Sequence, residues 1–233
     1  MRSDPDPFKN RLLAGLSRQD LERFFSNVAL VPLPRKRIIY EIGAPIDNIY
    51  FVEQGLVSML INMENGATSE VWMIGREGMI GMAALLDSET AAQQMAVQIP
   101  GSAWRLGLPR CREAFEQSAA FRRAVLRLTE ATLNFAAQTA ACNRLHSVER
   151  RLARWLLMAS DRVEADTMPL THEFLSSMLG VRRPGVTVAA GQLQRSGLIR
   201  YRYGRVTVID RRTLETAACE CHHADRERFE RLS

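Results

Sequence analysis

The sequence predicts an α+β chain built as an antiparallel β domain, one long helix and a C-terminal winged helix-turn-helix. Three observations carry that prediction. Between Lys36 and Leu108, short strand-like runs are separated by glycines at 43, 55, 66, 75, 78, 81 and 101. From Ala119 to about Leu145 apolar residues recur at helical spacing. From Pro169 to Ile209 two short helical patterns flank a glycine turn, and a hairpin pattern follows them.

Composition sets the outer limits. The 233 residues, 46% hydrophobic and 24% charged, suit one or two ordinary globular domains. Met1 to Asn10 is polar and broken by proline, and no apolar run approaches a membrane-spanning length, so no signal peptide and no membrane association is expected and the protein is placed in the cytoplasm. The four cysteines, at 111, 142, 219 and 221, are too few for a secreted disulfide framework and are expected to be reduced. Arginine carries nearly all of the positive charge behind the net +5, because Lys9 and Lys36 are the only lysines. That bias suits bidentate contact with phosphate and guanine.

Taken in order, Leu16 to Val28 reads as a short amphipathic helix, opened by the capping-box-like Ser17-Arg18-Gln19-Asp20 and continued by Leu21, Phe24 and Phe25. The segments RIIYE, NIYFVE, LVSMLIN, SEVWMI, MAVQI and SAWRL then read as strands. Many short strands with regular turns suggest a barrel, roll or jelly-roll, and the pattern does not choose among them. Beyond Pro109 the period becomes helical, first over Arg110 to Gln117 and then over the long segment. There Phe121, Val125, Leu128, Thr132, Phe135, Thr139 and Cys142 recur at alternating steps of four and three, a heptad seam. These seven residues are the expected homodimer interface, with Leu126, Leu133 and Ala137 packing on the chain's own β domain. Ser147 starts the next helix, whose apolar stripe is Val148, Leu152, Trp155, Leu156 and Ala159.

In the C-terminal part, Thr171 is a helix N-cap before Phe174, Leu175, Met178 and Leu179. Gly180 provides the turn, and Pro184 fits the first turn of a second helix, where its missing N–H costs nothing. That helix buries Val186, Ala189, Ala190 and Leu193 and stops at Ser196-Gly197. Leu198 to Ile209 alternates around Tyr203-Gly204 as a hairpin would. Between positions 182 and 212 there are eight arginines and one acid, Asp210, so positive charge is concentrated where a duplex would lie.

In this order of parts the chain resembles the CRP/FNR family of bacterial transcription regulators. IYEIGAPIDNIYFVEQGLVSMLI, GMIGMAALL, SVERRLARWLLMAS and LSSMLGVRRPGVTVAAGQLQRSGLI carry the resemblance over nearly the whole chain, the last most specifically. It implies a cyclic-nucleotide-binding-like β-roll (residues 1–118), a dimerisation helix and hinge (119–146) and a winged helix-turn-helix DNA-binding domain (147–233). It also implies double-stranded DNA, a second copy of the chain and RNA polymerase as partners. Carried over by position, the base-reading residues are Arg182, Arg183, Gly185 and Thr187, with Arg183 the expected guanine reader. Thr171, Arg200, Arg202 and Arg205 are expected on phosphates. Family members often place a glutamate where Pro184 stands, so the family's commonest operator is not assumed.

The effector pocket departs from the family's cyclic-AMP pattern. Met82 stands where a glutamate holds the ribose, Ala92-Gln93 lies near the place of the phosphate-binding Arg-Ser pair, and Ala136 falls where a polar residue would face the base. Without a cation a buried phosphate is costly, so cyclic-AMP control is not expected and the effector is left unassigned. No cofactor or metal is assigned either. The β domain holds no cysteine or histidine before Cys111, and Cys219-x-Cys221-His222-His223, read as one helix, cannot converge on a single ion. Cys142, on the seam, is open to an intersubunit disulfide or to burial as an inert thiol. No nucleophile–base pair, phosphate-cradling loop or H-E-x-x-H motif suggests an enzyme. The reading is a sequence-specific DNA-binding regulator; the alternative is a ligand-binding or interaction module with only non-specific nucleic-acid affinity.

Overall fold

A computed structural model describes residues 8–230, which form two compact units. One gathers the described residues through Ser58, Ile74–Thr132 and residues 229–230; the other takes Met59–Met73 and Leu133–Arg228.

The first unit opens with α1 (Arg11–Ala14) and α2 (Arg18–Phe24). Ser17 caps α2 by accepting the Asp20 N–H, as the sequence predicts. The helix is shorter than expected, ending at Phe24 before a turn, and Ala29–Leu33 forms a strand, β1, paired along β6 (Gln94–Gly107). The other strands are β2 (Ile38–Tyr40), β3 (Asn48–Asn62), β4 (Thr68–Ile74) and β5 (Met79–Ile80), of which β3 from Met59 and β4 up to Met73 belong to the second unit. They make a six-stranded sheet in the order β1-β6-β3-β4, with β2 on β6 and β5 on β3. A 3₁₀ turn, Met82–Leu86, interrupts the strands before β6.

Two glycines expected to end strands instead lie inside them. Gly55 sits within the fifteen-residue β3 at φ +91°, and Gly101 within the fourteen-residue β6. A Cβ on Gly101 would lie 1.9 Å from the Gln54 carbonyl oxygen, and one on Gly55 would lie 2.6 Å from that of Ile99. The two backbones cross where only hydrogen fits, so each pair of predicted strands is one kinked strand.

Behind the sheet, Phe25, Phe51 and Phe121 pack with ring centroids 5.2–6.1 Å apart. The buried carboxylate of Glu53 accepts the backbone N–H groups of Lys9 and Asn10 and the Trp104 indole N–H. After α3 (Leu108–Gln117) comes α4 (Ala119–Leu145), whose extent matches the sequence expectation.

The face of α4 that is free does not match. Phe121, Val125 and Leu128 are fully buried by their own chain, and Phe135 and Cys142 nearly so or fully. Thr132 and Thr139 are half-buried. The Thr132 hydroxyl donates to the Leu128 carbonyl, while the Thr139 hydroxyl accepts from the Arg154 guanidinium. The predicted homodimer seam is therefore the inward face of the helix. Leu126 and Leu133, expected inside, are 50% and 67% exposed, and Ala136, Ala137 and Ala140 beside them are exposed too. Both stripes have a near-heptad period, and the bulkier one, with two phenylalanines, is taken by the subunit's own core.

The second unit contains α5 (Val148–Val163), β7 (Thr167–Met168), α6 (His172–Leu179), α7 (Arg183–Arg195), β8 (Ile199–Arg202), β9 (Arg205–Val208), α8 (Arg211–Ala217) and, as far as Arg228, α9 (Cys221–Glu230). The expected hairpin is present and gains a third strand, giving the order β7-β9-β8, with Thr167 opposite Thr207 and Met168 opposite Val206. The core lies under α5, whose residues 151–160 are all buried. Trp155 meets Phe174 edge to face at 5.7 Å and donates its indole N–H to Glu70 at 2.7 Å. Arg154 reaches Asp225 on α9 at 2.6 Å, a buried ion pair. Arg151 donates to the Leu179 carbonyl at the end of α6.

Candidate nucleic-acid interface

Each end of the helix-turn-helix is fixed by the residue the sequence singles out. The Thr171 hydroxyl accepts the Phe174 N–H at 3.1 Å, which caps α6. Gly180, at φ +60° and ψ +39°, ends that helix in the left-handed conformation. Arg182 is the N-cap of α7, Pro184 lies in its first turn, and Ser196 with Gly197 (φ +74°) closes it. Val186, Ala189, Ala190 and Leu193 are buried, so the opposite face of α7 is turned outward.

That outward face carries Arg182, Arg183, Pro184, Thr187 and Val188, all exposed, while Gly185 is partly covered. A Cβ on Gly185 would meet nothing within 4 Å, so a duplex backbone or base edge has room to approach there. Thr187 is less free than the sequence suggests. Its hydroxyl oxygen lies 3.0 Å from His172 Nδ1 and 3.2 Å from the Arg183 carbonyl. His172 in turn stacks on Tyr201 with centroids 4.1 Å apart, and its backbone N–H donates to the Tyr201 hydroxyl. Tyr201 ties back to α7, since its N–H donates to Gln194 Oε1 at 2.7 Å. One chain of contacts thus links the start of α6, the outward face of α7 and the wing. Burial lowers the His172 pKa, and the nearby Arg183 charge lowers it further.

The wing turn is Tyr203-Gly204, both at positive φ (49° and 69°), as a tight two-residue hairpin requires. Tyr203 is 87% exposed, with the Arg202 guanidinium 5.0 Å above its ring. Arg200, Arg202 and Arg205 are exposed. Thr171 sits at the wing, where a Cβ on Gly204 would lie 3.4 Å from its methyl group. Of the eight arginines in this stretch, Arg211 is already neutralised, by Asp161 at 2.5 Å and Glu215 at 3.2 Å. The others named here project positive charge outward from α7 and the wing.

Val188 and the His172–Tyr201 pair were not among the residues expected at this face. Val188 follows Pro184 by four residues and shares its face; at 60% exposed it is an apolar side chain where a buried one would be expected. In the first unit, Met82 is half-buried with the Thr129 hydroxyl 3.5 Å from its sulfur, Ala92 is exposed and Gln93 half-buried. Ala136, in the second unit, is exposed on α4.

The C-terminal cysteines also depart from the one-helix reading. The chain leaves α8 at Ala218 and re-enters a helix only at Cys221, so Cys219 and Cys221 flank a turn and point to one place. His222 and His223 stay apart from them, near Asp161 at 3.9 Å and Glu227 at 3.0 Å respectively.

A winged helix-turn-helix with an arginine-lined outer face, preceded by a β-roll and a long helix, defines a class of DNA-binding transcription regulators. The family models agree. Residues 30–118 match the cyclic nucleotide-binding domain and residues 150–217 match the Crp-like helix-turn-helix domain. Among solved structures, FixK2 from Bradyrhizobium japonicum is similar with a TM-score of 0.71 at 17% identity, covering 82% of this chain and 98% of that one. A regulator of the CRP/FNR family from Eubacterium rectale gives 0.68 at 17%, covering 87% and 94%. The c-di-GMP-responsive global regulator CLP of Xanthomonas campestris gives 0.68 at 19%, covering 82% and 99%. No curated protein is significantly similar in sequence. The chain belongs to the CRP/FNR family of transcription regulators, which act by binding DNA through this domain and are not enzymes. No helix among the described residues is long and apolar enough to cross a membrane.

Proposed function

We propose that the protein is a cytoplasmic homodimer that reads a two-fold-symmetric operator and answers to no cyclic nucleotide. The observation that carries the DNA reading is the first turn of α7, which is pinned from behind by four buried side chains and presents Arg182 and Arg183 outward beside Gly185, where an added Cβ would meet nothing within 4 Å. Arg183 spans guanine O6 and N7, Val188 meets a thymine methyl, and Thr187, held by His172, sets the approach. Thr171, Arg200, Arg202 and Arg205 hold phosphates on either side. RNA polymerase is the downstream partner that family membership suggests.

The dimer forms through the exposed stripe Leu126, Leu133, Ala137 and Ala140 on α4, paired with the same stripe of a second copy. Two α7 helices then enter successive major grooves about 34 Å apart. The independence from cyclic nucleotide rests on chemistry at Met82, Ala92 and Gln93: none of the three is a cation for the cyclic phosphate or a carboxylate for the ribose.

Competition binding with Arg183→Ala tests the reader. The variant should lose roughly 5- to 150-fold in discrimination between operator and mutated operator, the equivalent of about 1–3 kcal/mol, while retaining bulk affinity. Equal weakening on every sequence would assign Arg183 to phosphate contact and refute its role as base reader.

A further inference from the structure

Four side chains of the second unit meet at a place that DNA reading does not use. Cys142 projects from the last turn of α4, His146 follows the end of that helix with its backbone N–H donating to the Cys142 carbonyl at 3.1 Å, and Cys219 and Cys221 come from the turn between α8 and α9. One ligand atom from each of the four lies within 4.8 Å of all the others. Cys142 Sγ is 3.5 Å from Cys219 Sγ, and Cys221 Sγ is 3.7 Å from His146 Nδ1. We propose that these residues form a Cys₃His site for one tetrahedral transition-metal ion of the zinc class, stapling the end of α4 to the α8–α9 turn.

The spacing fits one ion. Metal–ligand lengths of about 2.3 Å to sulfur and about 2.0–2.1 Å to nitrogen put tetrahedral neighbours about 3.8 Å apart for two sulfurs and about 3.6 Å for sulfur and nitrogen. Both short distances are close to those edges, and the widest, within 4.8 Å, closes by about 1 Å on binding. A multi-iron cluster places its ligand sulfurs on different metal atoms and so farther apart than a single ion does.

The surroundings fit as well. His146 turns Nδ1 toward the thiols while its Nε2 lies 3.1 Å from Glu220 Oε1, a carboxylate that fixes the ring and tautomer of a metal-binding imidazole. Gln138 donates its side-chain N–H to Cys221 Sγ at 3.0 Å, a bond that steadies a thiolate. The three cysteines are buried together, forming their own small cluster. The Arg154 and Arg151 guanidinium groups lie within electrostatic reach of Cys142 and Cys219 and offset the negative charge of a three-thiolate site. The fourth cysteine, Cys111, lies in the other unit and is an internal control.

Cobalt(II) titration of the full, reduced, chelator-treated chain tests the site without reference to DNA, so its outcome is separate from that of the operator reading. About one cobalt per chain should bind, with thiolate-to-cobalt charge transfer and the intense visible bands of tetrahedral coordination, and zinc should displace it. Cys219→Ser and Cys221→Ser should each lose those bands, and Cys111→Ser should keep them. Because a serine variant can fail to fold, His146→Cys serves as the second arm: it should retain the metal with a spectrum shifted to four-thiolate coordination. Bound iron with inorganic sulfide, a Cys142–Cys219 disulfide in anaerobically purified protein, or a well-folded chain that takes up less than about a tenth of an equivalent of cobalt would each overturn the proposal.

Discussion

At the scale of single residues, buried charge and covered nitrogen give the sharpest expectations. Asp225 is 1% exposed and pairs with Arg154 at 2.6 Å. Asp225→Ala leaves the guanidinium buried without its carboxylate and should cost about 3–5 kcal/mol in urea unfolding, whereas Arg154→Met with Asp225→Leu should recover most of that loss. His172 Nε2 is buried without a hydrogen-bond partner, so the folded state has nothing to receive a second ring proton. Its folded pKa lies below the usual value, chiefly through burial and then through Arg183. The unfolded chain therefore binds the proton more readily, and stability present above about pH 6.5 is lost as pH falls toward the folded pKa. Melting temperatures from pH 7.5 to 5.5 should fall more steeply for the native chain than for His172→Gln. Arg183, Thr171 and the wing arginines were legible because charge and capping are local properties. The His172–Tyr201 stack was not, since it joins residues twenty-nine positions apart.

At the scale of elements, the sequence marked the helices well and the β strands less so. Thr171, Gly180, Pro184 and Gly197 fixed the helix-turn-helix ends because caps and turns depend on a few neighbouring residues. Gly55 and Gly101 were read as turns, although each lies within a strand, because glycine marks both a reversal and a close crossing of backbones. Gly101→Ala should therefore be severe, lowering stability by about 3 kcal/mol or more in thermal or urea unfolding. Gly107→Ala, whose new Cβ would come no nearer than 4.0 Å to a neighbour, should be nearly neutral. The same limit hid the Cys₃His cluster. Reading residues 219–223 as one helix dispersed ligands that a turn at Ala218–Glu220 brings together, and nothing local ties them to Cys142.

For the whole molecule, α4 carries two apolar stripes of similar period, and periodicity alone could not say which faces inward. Burial settles that the phenylalanine stripe belongs to the subunit core. Leu133→Glu should leave a folded chain that sediments as a monomer and binds operator weakly, while Phe121→Ala should lower stability by about 3–5 kcal/mol through the cavity it leaves. A stable dimer of Leu126→Glu/Leu133→Glu would place the interface elsewhere. The proposed function requires a dimer that is competent to read DNA without a cyclic nucleotide. Selection of bound sequences from a random duplex library, using purified protein without added nucleotide at near-physiological salt, tests that most directly. The expected result is enrichment of a two-fold-symmetric motif with half-sites one helical turn apart, unchanged when cyclic AMP is added. Salt-sensitive binding with no enriched motif, or a motif that emerges only with a cyclic nucleotide, would contradict it.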